Sequence, residues 1–203
     1  MHIAIAGNIG SGKTTLTQLL AQHYKWQPLY EDTADNPYLS DFYNDMSRWS
    51  FHLQMYFLGK RFKQIVEIRQ LPQTIVQDRT VFEDAQIFAA NLHDMGLLSP
   101  NDFATYMSLY NLLNSLVTPP HLLIYLRMPV PALVEQIYKR GREYEASIRI
   151  DYLKNLNEKY ELWISNYKHR KLIIDMAKIN FVDNPQHLST ITKLIDTELK
   201  TLR

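Results

Sequence analysis

Three short stretches of the sequence carry residue types that could bind a nucleotide and transfer a phosphoryl group from it. In the first, GNIGSGKTT at residues 7–15, three glycines alternate with polar and charged residues. Backbone N–H groups of such a loop can turn toward phosphate oxygens, and a following helix adds the positive end of its dipole. Gly7, four further residues and Gly12-Lys13-Thr14 match G-x-x-x-x-G-K-[S/T], the phosphate-binding loop or P-loop. The sequence therefore predicts a site for ATP or GTP.

Side chains of this loop have distinct predicted roles. Lys13 would reach the β- and γ-phosphates, and the hydroxyl of Thr14 would bind Mg²⁺. The residues predicted to bind the nucleotide here are Gly7, Asn8, Ile9, Gly10, Ser11, Gly12, Lys13, Thr14 and Thr15. A P-loop does not identify the acceptor, because motors, switches, regulators and small-molecule kinases all use one.

The other two stretches, PLYE and TIVQDR, end in charged residues. Glu31 ends the first, and Asp78 and Arg79 end the second. A kinase that acts on an alcohol needs a carboxylate beside the hydroxyl and cations around the transferring oxygens. Glu31 could act as this base, and Lys13 and Arg79 are the predicted catalytic cations; the resemblance described below favours Glu31. Asp78 could bind Mg²⁺, directly or through water, or act as the base itself.

A sheet must position these residues, since short apolar runs alternate with long helical patterns along the chain. Strands separated by crossover helices predict an α/β fold, with a five-stranded parallel sheet and helices on both faces. Right-handed crossovers place the C-terminal ends of the strands at one edge, where ligands bind. The predicted strands are 2–6, 28–31, 74–78, 122–126 and 172–176. The predicted helices are 16–24, 39–70, 82–93, 102–117, 130–140, 148–167 and 187–202.

Composition narrows the class of protein. The 203 residues, of which 46% are hydrophobic, predict one globular domain that spans residues 1–203. The 22 basic and 21 acidic residues leave a net charge of +1, which gives no preference for nucleic acid. Without cysteine the chain has no disulfide or thiolate metal site, and no window approaches ~18 apolar residues. We expect a cytoplasmic protein that binds neither nucleic acid nor a membrane.

Five motifs, in this order along the chain, resemble those of the deoxyribonucleoside kinases, in particular their bacterial deoxyadenosine/deoxyguanosine branch. The motifs are GNIGSGKTT, YEDTADNPYLSDFY, WSFHLQMYFLGKR, QDRTVFEDAQIFAANL and YKRGREYE, and the resemblance runs from residue 2 to about residue 167. It implies a P-loop NTPase fold, a homodimer, and transfer of the γ-phosphate of ATP, with Mg²⁺, to the 5′-hydroxyl of a deoxynucleoside in nucleotide salvage.

The resemblance also implies a nucleobase pocket. Gln54, Arg61 and Asp84 correspond to its hydrogen-bonding groups, and Phe88 corresponds to a flat apolar wall. Their spacing is compatible with this, because residues seven apart, or four apart, project on one face of a helix. Spacing alone would favour a solvated polar pair and a core phenylalanine instead. Together with Tyr43 and Glu145, the predicted substrate-binding residues are Glu31, Tyr43, Gln54, Arg61, Arg79, Asp84, Phe88 and Glu145.

The chemistry of these side chains favours some bases over others. A Gln54 amide matches the N6/N7 edge of adenine, and an Asp84 carboxylate held by Arg61 suits an exocyclic amino group. Thymine would present a carbonyl oxygen to Asp84, so thymidine should be rejected. Some relatives have a large aromatic residue where this chain has Asn36, which leaves more room for a purine. We expect a purine preference, with deoxycytidine as the alternative.

Tyr43 resembles a residue that contacts the sugar, and Glu145 resembles the carboxylate beside the 3′-hydroxyl. Tyr43 and Gln54 are eleven residues apart, or ~16 Å along an unbroken helix, too far to share one nucleoside. The resemblance therefore requires a break in the helix, and we predict it at NDMS, residues 44–47.

The segment YKRGREYE resembles a lid that closes on the phosphates of ATP, at about residues 136–146. Arg140 and Arg142 are its predicted phosphate ligands, although cations and a glycine also end many helices for capping reasons alone. The stretch DMAKINFVDN at 175–184 resembles the loop that packs on the adenine of ATP. The aromatic run at 103–116 predicts a buried helix, or one that packs against a second subunit.

Two other functions remain open at the level of sequence. A nucleoside monophosphate kinase, such as a thymidylate kinase, would need arginines for the acceptor phosphate, which Glu31 would repel. A P-loop ATPase with a binding or regulatory role would release ADP without a deoxynucleoside.

Overall fold

The computed structural model describes residues 1–31, 35–181 and 184–201. Its five strands form one parallel sheet, as predicted, and the strand order is β2-β3-β1-β4-β5. The strands are β1 (His2–Gly7), β2 (Gln27–Leu29), β3 (Ile75–Asp78), β4 (Leu122–Arg127) and β5 (Lys171–Asp175). β2 is shorter than predicted, so Glu31 lies two residues beyond its end. β1 lies in the middle of the sheet, so the loop after β1 adjoins the ends of β3 and β4.

Helices cover both faces of the sheet, also as predicted. They are α1 (Lys13–Tyr24), α2 (Leu39–Asn44), α3 (Met46–Gln70), α4 (Val81–Glu83), α5 (Ala90–Asp94), α6 (Pro100–Asn114), α7 (Val130–Arg140), α8 (Ile150–Asn166) and α9 (Pro185–Lys200). A 3₁₀ helix spans Glu143–Ser147. The last residues of the predicted C-terminal helix lie beyond Lys200, and Leu202 is outside the described residues.

The two faces of the sheet bury separate apolar cores, because successive side chains of a strand point to opposite faces. In β1, Ala4 and Ala6 face a larger core shared with helices α3, α6 and α8. Ile3 and Ile5 face a smaller core shared with α1 and α9. All four residues are fully buried, so the strand that leads into the P-loop is fixed from both sides.

The helical region 39–70 is broken at Asp45, inside the predicted segment. Asp45 leaves the helical conformation, with φ −143° and ψ 85°, and its side chain accepts a hydrogen bond from the backbone N–H of Arg48. An aspartate in that position caps the N-terminus of a helix, which explains why a new helix begins at Met46. Because of this break, Tyr43 and Gln54 line one cleft.

Between α4 and α5 the backbone forms a π-helical turn over Asp84–Ala89, where the sequence predicts an ordinary helix through 82–93. The N–H of Ala90 donates to the carbonyl of Ala85, five residues earlier. Such turns are rare and often lie at functional sites. Asp84 and Phe88 both belong to this turn and point into the same cleft.

The aromatic helix at 103–116 is buried on one side only. Tyr106 and Tyr110 are buried, whereas Leu112 and Leu116 are 67% and 59% exposed. The prediction of a buried helix is therefore wrong for the outer side of α6, where Leu112 is exposed, and Leu116 lies two residues beyond the end of the helix. The alternative, packing of this helix against a second subunit, stays a prediction. Within the described ranges, no helix has the length and apolar character to cross a membrane.

Candidate active site

The P-loop connects β1 to α1 and depends on its glycines for two different reasons. Gly10 and Gly12 have φ of 85° and 88°, which side-chain-bearing residues rarely adopt. A Cβ on Gly10 would also lie 2.9 Å from the carbonyl oxygen of Leu133, and one on Gly12 would lie 3.2 Å from the ring of Phe181. The loop is thus packed against α7 and against the segment 175–181. Val182 and Asp183, which complete the predicted adenine loop, lie outside the described residues.

The side chain of Lys13 contacts the backbone of the P-loop. Its Nζ donates to the carbonyl of Asn8 at 2.9 Å, and the Asn8 amide in turn donates to the carbonyl of Leu153 in α8. Burial, and then the nearby Arg79, lower the pKa of Lys13 to about 8. A cation that has lost most of its hydration is well suited to bind an incoming phosphate oxygen.

Thr14 and Asp78 form a second polar pair at the same edge. β3 pairs with β1 so that Asp78 is opposite Ile5, and the Thr14 hydroxyl donates to Asp78 Oδ2 at 2.6 Å. Asp78 is 1% exposed, and its Oδ1 has no hydrogen-bond partner among the described residues. A buried carboxylate oxygen beside a threonine hydroxyl fits the oxygen ligand set that Mg²⁺ prefers.

The carboxylate of Glu31 is gripped by two arginines. Arg61 Nη2 lies 2.6 Å and Arg79 Nε 2.9 Å from the same oxygen, Oε1. Burial raises the pKa of Glu31, but Arg79, Arg61 and Lys13 outweigh it and lower the pKa to about 2. The side chain remains 18% exposed, toward the cleft. Glu31 is therefore ionised at physiological pH; its Oε1 is held by the two arginines, and no described residue forms an ion pair with its Oε2.

The guanidinium of Arg79 contacts four side chains at once. Its Nη1 donates to the hydroxyl of Tyr160 at 2.6 Å, and its guanidinium lies 4.4 Å above the ring of Phe88. Burial would lower the pKa of Arg79, but Glu31, Tyr160 and Glu83 raise it well above the ordinary value. Its backbone has φ 66°, uncommon for a residue with a side chain and typical of strained positions at functional sites.

Glu83 and Tyr160 complete this arrangement, and the sequence analysis missed both. Glu83 is fully buried; its Oε1 accepts from Gly7 N at 3.3 Å and from the Tyr160 hydroxyl at 2.8 Å. Its Oε2 accepts from the Thr80 N–H at 2.8 Å. The pattern Thr80-x-x-Glu83 is a capping box, which could have identified Glu83 from sequence. Tyr160 has no local signal, because its partners lie more than 75 residues away in the chain.

Arg61 and Asp84 form a buried ion pair next to Glu31, with Arg61 Nε 3.0 Å from Asp84 Oδ2. Burial raises the pKa of Asp84 to about 6, even though Arg61 opposes that shift. Arg61 is 2% exposed and does not line the cleft. It lies behind Glu31 and Asp84 and contacts both.

One open cleft of about 820 Å³ joins these groups. Of the predicted residues, those that line it are Ile9, Gly10, Lys13, Thr14, Glu31, Tyr43, Gln54, Arg79, Asp84, Phe88, Arg140, Arg142 and Glu145. The other predicted residues do not line the cleft; they are Gly7, Asn8, Ser11, Gly12, Thr15, Arg61 and Asp78. The P-loop thus lies at one end of the cleft, and Gln54, Asp84 and Phe88 lie in the same cleft.

The end of α7 and the segment that follows it form one wall of the cleft. Gly141, with φ 66°, ends the helix, and Arg140 then forms a two-pronged ion pair with Glu145, with Nη2 2.6 Å from Oε1 and Nε 3.0 Å from Oε2. Arg142 Nη1 lies 3.5 Å from the same carboxylate. Tyr43 stacks on Tyr144 of this segment at 6.0 Å between ring centroids. The predicted sugar contacts and the predicted lid are therefore in direct contact.

No group of three or more His, Asp or Glu side chains within residues 1–31, 35–181 and 184–201 is arranged to hold a metal ion by itself. The Thr14–Asp78 pair would supply two oxygen ligands if Mg²⁺ binds there, and Mg²⁺ in phosphoryl-transfer sites usually takes its remaining ligands from water and substrate phosphates.

Comparisons with known proteins identify the family of this chain. A sequence model described as deoxynucleoside kinase matches residues 3–200. The chain is 41% identical over 169 residues to the deoxyadenosine/deoxycytidine kinase of Bacillus subtilis (strain 168), covering 81% of this chain and 77% of that protein. It is 36% identical over 194 residues to the deoxyguanosine kinase of the same organism, covering 93% of each.

A solved structure of deoxyadenosine kinase from M. mycoides, with the products dCMP and dCDP bound, has a TM-score of 0.87 and 30% identity. The match covers 97% of this chain and all of that one. The family match and these similarities extend across the sheet, the P-loop and the cleft, and the chain belongs to the deoxynucleoside kinase family.

Proposed function

We propose that this enzyme transfers the γ-phosphate of ATP to the 5′-hydroxyl of a deoxyribonucleoside, preferably deoxyadenosine or deoxyguanosine, in nucleotide salvage. The observation that carries the proposal is the position of the Glu31 carboxylate. It lies in one cleft with Lys13 of the P-loop and with the polar pair Gln54 and Asp84. A triphosphate on the loop and a nucleoside against that pair would meet at Glu31.

The donor end of the cleft suits Mg·ATP. Lys13 would exchange its hydrogen bond to the Asn8 carbonyl for the β- and γ-phosphates. Thr14 and Asp78 would hold Mg²⁺, and the unpartnered Oδ1 of Asp78 supports this assignment. When bound, the ion would neutralise charge on the phosphates. Arg140 and Arg142, in a lid at about 136–146, would add cations and exclude water.

At the acceptor end, Glu31 would orient the 5′-hydroxyl rather than remove its proton in advance. A carboxylate with a pKa of about 2 is a weak base toward a free alcohol. In a loose transition state, however, the hydroxyl becomes acidic only as its oxygen bonds to phosphorus. Glu31 can accept the proton at that stage, while Arg79 stabilises the charge on the transferring oxygens.

The nucleobase would lie against Phe88, between Gln54 and Asp84. Gln54 Oε1 is buried without a hydrogen-bond partner among the described residues, which leaves it ready for an amino group. Asp84 can accept from the same kind of group, which adenine and cytosine present. Tyr43 and Glu145 are proposed to contact the sugar. A deoxycytidine-preferring kinase is the second candidate, because the Asp84 chemistry suits cytosine as well as adenine.

The proposal extends to the oligomeric state of the protein and to its place in the cell. We expect a homodimer, and the exposed Leu112 of α6, with Leu116 just beyond the helix, is consistent with a subunit contact there. We expect one catalytic domain that works in the cytoplasm, with no role in binding nucleic acid or membranes.

A substrate panel tests the proposed function. With Mg·ATP, deoxyadenosine and deoxyguanosine should be phosphorylated most efficiently and thymidine poorly, because thymine places a carbonyl oxygen against Asp84. The panel includes deoxycytidine and deoxyadenosine monophosphate, and the readout is nucleotide product resolved by chromatography. Dominant activity on thymidine or on the monophosphate would contradict the proposal, as would ADP release that does not depend on any added nucleoside.

Activity toward deoxyadenosine should also fall in acid because of Asp84. Its pKa of about 6 means that the carboxyl becomes protonated below pH 6, loses its negative charge and accepts only weakly from the amino group of adenine. Glu31, with a pKa of about 2, stays ionised over that range. We expect kcat/KM for deoxyadenosine to fall about tenfold per pH unit below pH 6. The Asp84→Asn variant should be less active, and its kcat/KM should not fall in this way below pH 6. If kcat/KM of the variant falls as in wild type, another group titrates.

A further inference from the structure

Gln64 of α3 lies where three functional segments meet. Its Nε2 donates to the carbonyl of Tyr30, the residue before Glu31, at 2.7 Å. Its Oε1 accepts from Arg61 Nη1 at 3.3 Å and from Gln77 Nε2 at 3.0 Å, and Gln77 precedes Asp78 in β3. One amide thus joins the backbone beside Glu31, the guanidinium of Arg61 and the strand that carries Asp78.

Arg61 determines the direction of each hydrogen bond in this series of contacts, because a guanidinium only donates. The atom of Gln64 that faces Arg61 must therefore be its carbonyl oxygen, and the Gln64 NH₂ group must face the Tyr30 carbonyl. Gln77 then donates to Gln64 and keeps its own oxygen for His2 Nε2, 2.9 Å away. All four contacts are satisfied by one consistent orientation of both amides.

Arg61 needs this support because it serves two carboxylates at once. Nη2 contacts Glu31 at 2.6 Å and Nε contacts Asp84 at 3.0 Å, so the plane of the guanidinium is set by both. Apart from Gln64, the Nη1 atom of Arg61 has, among the described residues, only the carbonyl of Asp78, at a long 3.4 Å. Without Gln64 the guanidinium could rotate toward either carboxylate and release the other.

We propose that Gln64 is a positioning residue for the acceptor site, which holds Arg61 so that Glu31 and Asp84 keep their places for the sugar hydroxyl and the base. The proposal rests on the proposed function, since those two carboxylates are its acceptor groups. Gln64 itself does not line the cleft and would touch no substrate. Its effect is therefore specific to the acceptor and spares the donor, which the P-loop binds separately.

The test compares Gln64→Met with Gln70→Met. Methionine has a similar length but makes none of the amide's hydrogen bonds. Gln70 is the exposed last residue of the same helix, so its variant is a matched control. We expect Gln64→Met to lower kcat/KM for deoxyadenosine about tenfold, the loss typical of one hydrogen bond to a charged group, while KM for ATP stays within about twofold. Gln70→Met should resemble wild type in both.

A third variant separates positioning from general loss of stability. Gln64→Glu keeps an acceptor toward Arg61 and Gln77 but loses the donor toward Tyr30. We expect it to recover kcat/KM for deoxyadenosine to within about threefold of wild type. Equal defects in Gln64→Glu and Gln64→Met, a parallel rise in KM for ATP, or an unchanged kcat/KM in Gln64→Met would each overturn the proposal. Absence of nucleoside phosphorylation by wild type would instead overturn the proposed function, so the two failures are distinguishable.

Discussion

The Glu31→Gln variant should bind ATP normally and lose turnover by a factor of about 10²–10⁴. Glutamine keeps an oxygen that can accept from the 5′-hydroxyl, but it cannot take up the proton when the new P–O bond forms. The triphosphate would be bound by the P-loop, with which Glu31 forms no hydrogen bond or ion pair in the described part of the chain. We would measure kcat with saturating deoxyadenosine and the Kd for Mg·ATP by titration calorimetry.

This substitution also removes the negative charge between two buried arginines, so stability has to be measured beside activity. Glu158→Gln is a suitable control, because Glu158 is exposed on α8 and distant from the cleft. A variant that is folded at the assay temperature and turns over at a near-normal rate would assign the base to Asp78 instead. In that case Asp78→Asn should show the larger loss.

Local patterns in the sequence were enough to predict the sheet and the donor site. The glycines and Lys13 of the P-loop act within nine residues, and each strand is a short apolar run flanked by helical patterns. The helix break at Asp45 was predicted from the resemblance, which assigns Tyr43 and Gln54 to one nucleoside, because the two residues are too far apart on one straight helix to share it. In each case the required information is contained in one segment of the chain.

The acceptor site was less predictable because its side chains are oriented by contacts between distant segments. Arg61 was expected in the base pocket, but it lies behind two carboxylates that come from other elements. The π-helical turn at Asp84 gives no signal in the residue pattern. Tyr160 meets Arg79 across 81 residues of sequence, and nothing near Tyr160 indicates that contact.

The buried acidic groups around Arg61 and Arg79 hold both guanidinium groups in place beside the Glu31 carboxylate. Each guanidinium is also held by a second acidic group, with Arg61 bound to Asp84 and Arg79 to Glu83. A group fixed in this way loses little entropy and reorganises little when charge develops in the reaction. The cations are therefore organised before the substrate arrives.

The Arg79→Lys variant tests this organisation, because it retains the positive charge and removes the planar fork. Lysine cannot contact Glu31 and the Tyr160 hydroxyl together, nor stack flat on Phe88. We expect kcat to fall about 10²–10³-fold, the loss typical of one preorganised donor at a transition state. The control is Arg127→Lys, at an exposed ion pair away from the cleft, which should leave kcat unchanged. If Arg79→Lys folds and keeps kcat within about threefold of wild type, charge alone would suffice, and the fixed geometry of the guanidinium would have no catalytic role.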